Sequence, residues 1–246
     1  VIGKRYRWRV LLNLDNWLAD NTTTDKPLIP ASTVIPIRDS AQGVEVLMIK
    51  RNTKLSFAEG MWVFPGGKVE EEDRSNALTE HDSAKTAACR ECLEESGLTI
   101  AEKDLTYYSH WLPPVEAPKR FSTWFFIARA PQGTITVDDG EITDYAWWTI
   151  EQALEKAHSN FIEILPPTWI TLFDLSQFKS VDDAIESVSS RGPRAYATQM
   201  IKTNEGLAAV WEGDRDYNSR SDESLGLHRL VMTESVWKFQ LSFNQT

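Results

Sequence analysis

Strand-like and helix-like stretches share this chain, and together they predict a mixed α/β (α+β) protein. Two observations carry that expectation. The apolar runs Ala31–Arg38 and Val44–Lys50 flank the turn-forming segment Asp39–Gly43, which is the pattern of a β-hairpin. Ser83–Ser96 lacks Gly and Pro and is rich in Ala, Leu, Glu, Lys and Arg, which predicts a helix with Ser83 as its N-cap and Gly97 as its stop.

The remaining elements follow in order. Residues 1–26 carry Lys4, Arg5, Arg7 and Arg9 and then an apolar stretch from Val10 to Leu18. Asn13, Asp15 and Asn16 interrupt that stretch, so a short amphipathic helix docked on the domain is expected rather than a secretory signal. Asn21–Pro27 reads as a linker. Glu71–Asp82 is polar and acidic and reads as a surface excursion. Leu105–Leu112 and Phe121–Arg129 are strand-like, and the loop between them carries Lys119 and Arg120. The acidic loop Asp138–Glu141 leads into Tyr145–Trp148 and a helix from Ile150 to Ala157. Pro166 opens a helix reaching Leu175, and a further helix spans Val181–Ser189, ended by Gly192-Pro193. Short strand-like pieces follow near Tyr196–Ile201, Ala208–Trp211, His228–Met232 and Trp237–Leu241.

Composition excludes several functions. No apolar run approaches the length of a membrane-spanning helix, so no membrane partner is expected. A net charge of −10 argues against a nucleic-acid partner, whose phosphates demand a basic surface. An acidic protein that acts on an anionic small molecule needs local cations, from a metal or from a few Arg and Lys. Cys89 and Cys92 form the only C-x-x-C, but they lie inside the expected helix and lack the further Cys or His ligands that zinc requires. They are expected as reduced, buried residues, which suits a cytoplasmic setting. None of the four histidines sits in a nucleophile–base pattern, and no P-loop is present.

The informative stretch is Phe64-Pro65-Gly66-Gly67-Lys68-Val69-Glu70, followed by Arg90-Glu91-Cys92-Leu93-Glu94-Glu95-Ser96-Gly97-Leu98. On a helix Glu91, Glu94 and Glu95 stand at i, i+3 and i+4, so the three carboxylates share one face. Three glutamates on a helix are ordinarily a solvated face. Bare like charges at this spacing destabilise a helix by about 0.2–0.5 kcal/mol, and an oxygen-seeking divalent cation reverses that sign. The order of residues here resembles the signature of the Nudix hydrolases, G-x5-E-x7-R-E-U-x-E-E-x-G-U with U apolar, at every position of its back half. Gly67 stands 23 positions before Arg90 where the pattern has 14, so about nine residues are inserted. The early acidic position then falls on Asp73, counted forward, or on Asp82, counted back.

The resemblance implies a Nudix α/β/α sandwich around a mixed sheet over residues 27–160, with an N-terminal extension (1–26) and a C-terminal α+β extension (161–246) packed on it. It also implies a metal-dependent pyrophosphatase that cleaves a diphosphate linked to another moiety. Mg²⁺ or Mn²⁺ would be held by Glu91, Glu94, Glu95 and Glu141, which with Arg90 form the catalytic set. Arg90 orients carboxylates. Arg51, Gly60 and Phe64-Pro65-Gly66-Gly67 are similar to the coenzyme A diphosphatase subgroup, although that subgroup's second arginine falls near Ser56 and is absent. Arg51, Gly66, Gly67, Lys119 and Arg120 are therefore expected at the substrate. ADP-ribose or another nucleotide sugar is the rival substrate, and a non-catalytic nucleotide-sensing module is the rival kind of function. A homodimer is the oligomeric form expected where the chain self-associates.

Overall fold

The computed structural model describes residues 26–53, 58–137, 140–219, 225–233 and 236–242. The amphipathic helix expected in residues 1–25 and the Ser56 position lie outside the described residues. Strand β1 (Leu28–Ser40) is the axis of the molecule. Its run from Ala31 to Ile37 is buried, because both faces of the sheet are covered there. β2 (Gly43–Arg51) returns antiparallel to β1, with Ile37 opposite Val46 and Ser40 opposite Gly43. Gly43 takes φ +119° in the tight turn, a conformation that side-chain-bearing residues rarely adopt.

Two short strands, β3 (Trp62–Val63) and β4 (Gly66–Lys68), carry the chain past the glycine pair. β3 pairs with β2, and β4 pairs with the first half of β1, placing Gly67 opposite Ser32 and Gly66 opposite Thr33. A single helical turn α1 (Glu71–Arg74) precedes α2 (Glu80–Ser96). The expected excursion over Glu71–Asp82 is therefore partly ordered helix, and it buries Asp73. α2 also starts four residues earlier than expected. Thr79, whose hydroxyl accepts from the Asp82 N–H, is the N-cap in place of Ser83, and Ser83 turns inward and is buried. Gly97 stops the helix as expected, at φ +73°.

β5 (Thr106–Leu112), β6 (Arg120–Arg129) and β7 (Ile142–Thr149) complete the first part of the sheet. α3 (Ile150–His158), α4 (Pro166–Leu175) and α5 (Val181–Arg191) follow. β8 (Arg194–Ala197) then adds to the main sheet, parallel to β5. The result is an eight-stranded mixed sheet in the order β3-β2-β1-β6-β5-β8, with β4 on β1 and β7 on β2. β9 (Gln199–Lys202), β10 (Leu207–Val210), β11 (Leu227–Met232) and β12 (Trp237–Ser242) form a separate antiparallel sheet. The single strand-like piece expected at Tyr196–Ile201 is thus two strands in two sheets. Thr198 is the crossing point, its N–H donating to the Leu112 carbonyl and its hydroxyl accepting from the Trp211 indole.

The main sheet is covered on both sides. On one face α2 lays Ala84, Ala87, Ala88 and Cys92 against Val34, Leu47, Ile49, Phe126 and Ala128. That small-residue stripe at helical spacing lets the helix axis approach the sheet closely. On the other face Ile35, Met48, Phe125 and Ile127 meet α3, α4 and α5, together with Trp211 and Leu230 of the second sheet. The layering is α, mixed β, then α+β. Both cysteines are free, and burial pushes the Cys92 thiol up to about 11 and the Cys89 thiol up to about 12, so neither is a reactive thiolate. No helix among the described residues is long and apolar enough to cross a membrane.

Candidate active site

α2 presents Glu91, Glu94 and Glu95 toward the strand β4, and the glycine pair makes that approach possible. A Cβ on Gly67 would lie 2.2 Å from Glu91 Oε1, and a Cβ on Gly66 would lie 2.4 Å from the Ser32 carbonyl oxygen. At Gly66 only hydrogen fits against the backbone of β1, and at Gly67 any side chain would have to push the Glu91 carboxylate aside, so backbone and carboxylate meet with nothing between them.

Each carboxylate has its own restraint. The Gly66 N–H donates to Glu95 Oε2 at 2.8 Å, and Arg51 Nη1 reaches Glu95 Oε1 at 3.4 Å. Arg90 Nη1 donates to Glu91 Oε1 at 2.9 Å and to Glu94 Oε2 at 3.0 Å. The rest of the Arg90 guanidinium forks onto Asp73, with Nε to Oδ1 at 3.0 Å and Nη2 to Oδ2 at 2.9 Å. Nη2 also donates to the Lys68 carbonyl at 3.0 Å. Arg90 is therefore the hub that joins α1, α2 and β4. Of the two aspartates that competed for the early acidic position, Asp73 is in this cluster. Asp82 sits in the first turn of α2, accepting from the Thr79 hydroxyl.

The electrostatics separate these groups. Burial raises the Asp73 pKa, but the Arg90 fork, the Glu70 N–H and the charge of Arg74 outweigh it and leave the group below its usual value. Burial pushes Glu95 up to about 8, against the Gly66 N–H and Arg51, while Glu91 and Glu141 add like charge. Glu91 is also raised by burial, with Arg90 opposing and Glu94 and Glu141 reinforcing. Glu141 immediately precedes β7, whose first residue Ile142 pairs with Arg51. Its backbone is tied to Asn52, whose N–H donates to the Glu141 carbonyl at 2.7 Å and whose amide donates to Gly140 at 3.0 Å.

Among the described residues, no three His, Cys, Asp or Glu side chains are already drawn together as a metal cage. A groove of about 480 Å³, lined by Trp148, Lys156 and Phe161 among others, lies against α3 and includes none of these carboxylates. We take the carboxylate cluster as the site, since the groove holds none of the residues of the Glu91–Glu95 run or the glycine pair.

The expected residues fall into two groups. Arg51, Gly66, Gly67, Arg90, Glu91, Glu94 and Glu95 come together, and Glu141 borders them. Arg120 does not join them through any of its described hydrogen bonds. It opens β6 opposite Leu28, and its Nη1 donates to the Lys26 carbonyl at 3.1 Å. That position is four residues along β1 from Ser32, or about 13 Å at strand spacing. Lys119 precedes it on the same loop. Arg120 and the cluster thus lie along the same half of β1, with β4 on Ala31–Thr33 and Arg120 opposite Leu28. Asp73 could be found in the sequence only as one of two alternatives. Asn52 had no sequence signal, since its bonds are to carbonyls of a distant loop.

Comparison with known proteins agrees with this geometry. Residues 27–166 match the NUDIX domain. "Putative nudix hydrolase 7" of Caenorhabditis elegans is 26% identical over 56% of this chain, which spans 57% of that protein's length. An acyl-coenzyme A diphosphatase of Xenopus laevis is 22% identical, covering 75% of this chain and 74% of its own. A crystal structure of a NUDIX hydrolase from Alicyclobacillus acidocaldarius superposes with a TM-score of 0.60 at 21% identity, over 66% of this chain and 97% of that one, a likeness of fold. The domain match covers more than half of the chain and contains the whole carboxylate cluster, so this protein belongs to the Nudix family.

Proposed function

We propose that the protein hydrolyses a diphosphate bond joining a nucleoside-like group to another moiety, using Mg²⁺ or Mn²⁺ held by Glu91, Glu94, Glu95 and Glu141. The observation that carries this reading is the contact of Gly67 with Glu91, a cradle that any side chain would fill. The donor set supports it. It is all oxygen, which suits a hard cation. It also buries Glu95 until the group holds its proton up to about 8, with Glu91 and Glu141 adding like charge, a cost that a cation relieves.

When bound, a divalent ion would offset the charge of the diphosphate and acidify water. The residues of the chain do the rest. Arg90, braced by Asp73, sets the spacing of Glu91 and Glu94. The Gly66 N–H fixes Glu95. Glu141 stands at the head of β7 and accepts the proton of the attacking water, which then approaches phosphorus in line. Arg51, at the edge of the cluster, meets the phosphate charge.

The substrate class that we favour is coenzyme A or its acyl derivatives. Arg51, Gly60 and the Phe64–Gly67 run support it, as does the resemblance to the Xenopus acyl-coenzyme A diphosphatase. A panel of coenzyme A, acyl-coenzyme A, ADP-ribose, NADH, diadenosine polyphosphates and nucleoside triphosphates tests this with Mg²⁺ or Mn²⁺. Coenzyme A derivatives should turn over fastest, giving 3′,5′-adenosine bisphosphate and a 4′-phosphopantetheine product. Faster cleavage of ADP-ribose would overturn the coenzyme A assignment while leaving diphosphate hydrolysis standing. No turnover of any member would end the hydrolase reading.

The two aspartates should separate in the same assay. Asp73→Ala removes the fork that holds Arg90, so a loss of about 2 kcal/mol in stability is expected, together with weaker cation activation. Asp82→Ala touches only an exposed first turn and should cost under about 1 kcal/mol, with activity unchanged. Urea melts and Mg²⁺ titrations read both effects. Equal small effects at the two positions would remove Asp73 from the cluster.

A further inference from the structure

We infer that Ser32 is a positioning residue for the cation site, its hydroxyl donating to the Glu91 carboxylate when the ion is bound. This rests on the functional reading just given. Ser32 is 1% exposed, and among the described residues its hydroxyl oxygen has no hydrogen-bond partner. A buried hydroxyl left without a partner costs stability, and an alanine at the same place would not. The next residue shows the contrast, since the Thr33 hydroxyl donates to the Pro65 carbonyl at 2.6 Å.

Strand register fixes where the Ser32 side chain points. Val34, two residues along β1, packs with Ala84, Ala87 and Ala88 of α2, so Ser32 takes the same face of the sheet. Gly67 stands directly opposite Ser32 across the ladder of β1 and β4. Opposite residues of an antiparallel pair project to one face, with Cβ positions about 4.5–5.5 Å apart. A Cβ on Gly67 would lie 2.2 Å from Glu91 Oε1, so the Glu91 carboxylate fills the place beside Ser32 that a side chain at Gly67 would take. Trp124, buried and opposite Ser32 on β6, closes the other side. Arg90 already donates to Glu91 Oε1 from along the helix. A carboxylate that ligates a cation keeps its orientation through its remaining hydrogen bonds. Ser32 offers the donor from the sheet side, and its hydroxyl can rotate to meet the carboxylate.

Affinity and stability should move in opposite directions. In calorimetric titration of the full chain with Mn²⁺, Ser32→Ala should bind roughly tenfold more weakly, the worth of one hydrogen bond to a charged group. In excess EDTA the hydroxyl has nothing to hold, so Ser32→Ala should melt no lower than the parent. A role in the fold alone would do the reverse, lowering the melting temperature and leaving the affinity untouched. Ser32→Cys, close in volume and a weaker donor, should fall between the two in affinity and serves if alanine fails to fold. Parental Mn²⁺ affinity in Ser32→Ala, or a lower melting temperature in EDTA, would overturn the inference. The titration needs no substrate, and the parent separates the two claims. A parent that binds no Mn²⁺ would end the cation reading and this inference with it, whereas a parent that binds no better than Ser32→Ala would remove Ser32 alone.

Discussion

Glu95→Gln is expected to lower diphosphate turnover by at least about a hundredfold while making the metal-free protein more stable. The carboxylate is 4% exposed, and its partners are the Gly66 N–H and a long contact to Arg51. Burial therefore dominates and pushes it up to about 8. The sign of the stability effect follows from that shift. The folded group binds its proton more tightly than the unfolded one, so its contribution is full below about 4.5 and is lost as pH rises through about 8. Gln keeps an acceptor for the Gly66 N–H and carries no charge. In excess EDTA, the variant's melting temperature should match the parent's near pH 4.5 and exceed it by several degrees at about pH 8. Parental turnover in Glu95→Gln would remove Glu95 from the site. A variant less stable than its parent at the higher pH would contradict the burial argument.

The glycine pair should divide in its effects, one position governing the fold and the other the chemistry. A Cβ at Gly66 would meet the Ser32 carbonyl and the Cα of Thr33, which is backbone of the central strand and cannot give way. Gly66→Ala should cost about 3 kcal/mol, at the upper end for overpacking. At Gly67 the added carbon would meet only the end of the Glu91 side chain, which can swing aside. Gly67→Ala should then cost about 1 kcal/mol in stability, but it displaces a proposed cation ligand and should lower turnover at least about a hundredfold. Denaturant melts alongside kinetics read both outcomes. A Gly67→Ala protein that unfolds, or one that keeps full activity, would show that the cradle has been misread.

The sequence carried the local features further than the long-range ones. The hairpin of β1 and β2, the stop of α2 at Gly97 and the helix opened by Pro166 follow from short-range chemistry, and each stands where composition placed it. The start of α2 did not. Ser83 and Thr79 are both good caps, and burial of Ser83 against the sheet decides between them. The carboxylate face of α2 was legible because helical spacing alone brings Glu91, Glu94 and Glu95 together. Asp73 was not fixed, because the insertion left the count ambiguous until the fork of Arg90 resolved it. The split of Tyr196–Ile201 between two sheets depends on partners far away in sequence, which no local pattern encodes.

The central claim is that the carboxylate cluster works by holding a divalent cation, and chelation tests it most directly. Hydrolysis of the best panel substrate would be followed in excess EDTA and again after Mg²⁺ is restored, for the parent and for Glu95→Gln. The parent should show no turnover in EDTA and full return with Mg²⁺, and the variant no comparable return. Undiminished hydrolysis in excess EDTA, or a variant that recovers as fully as its parent, would contradict it.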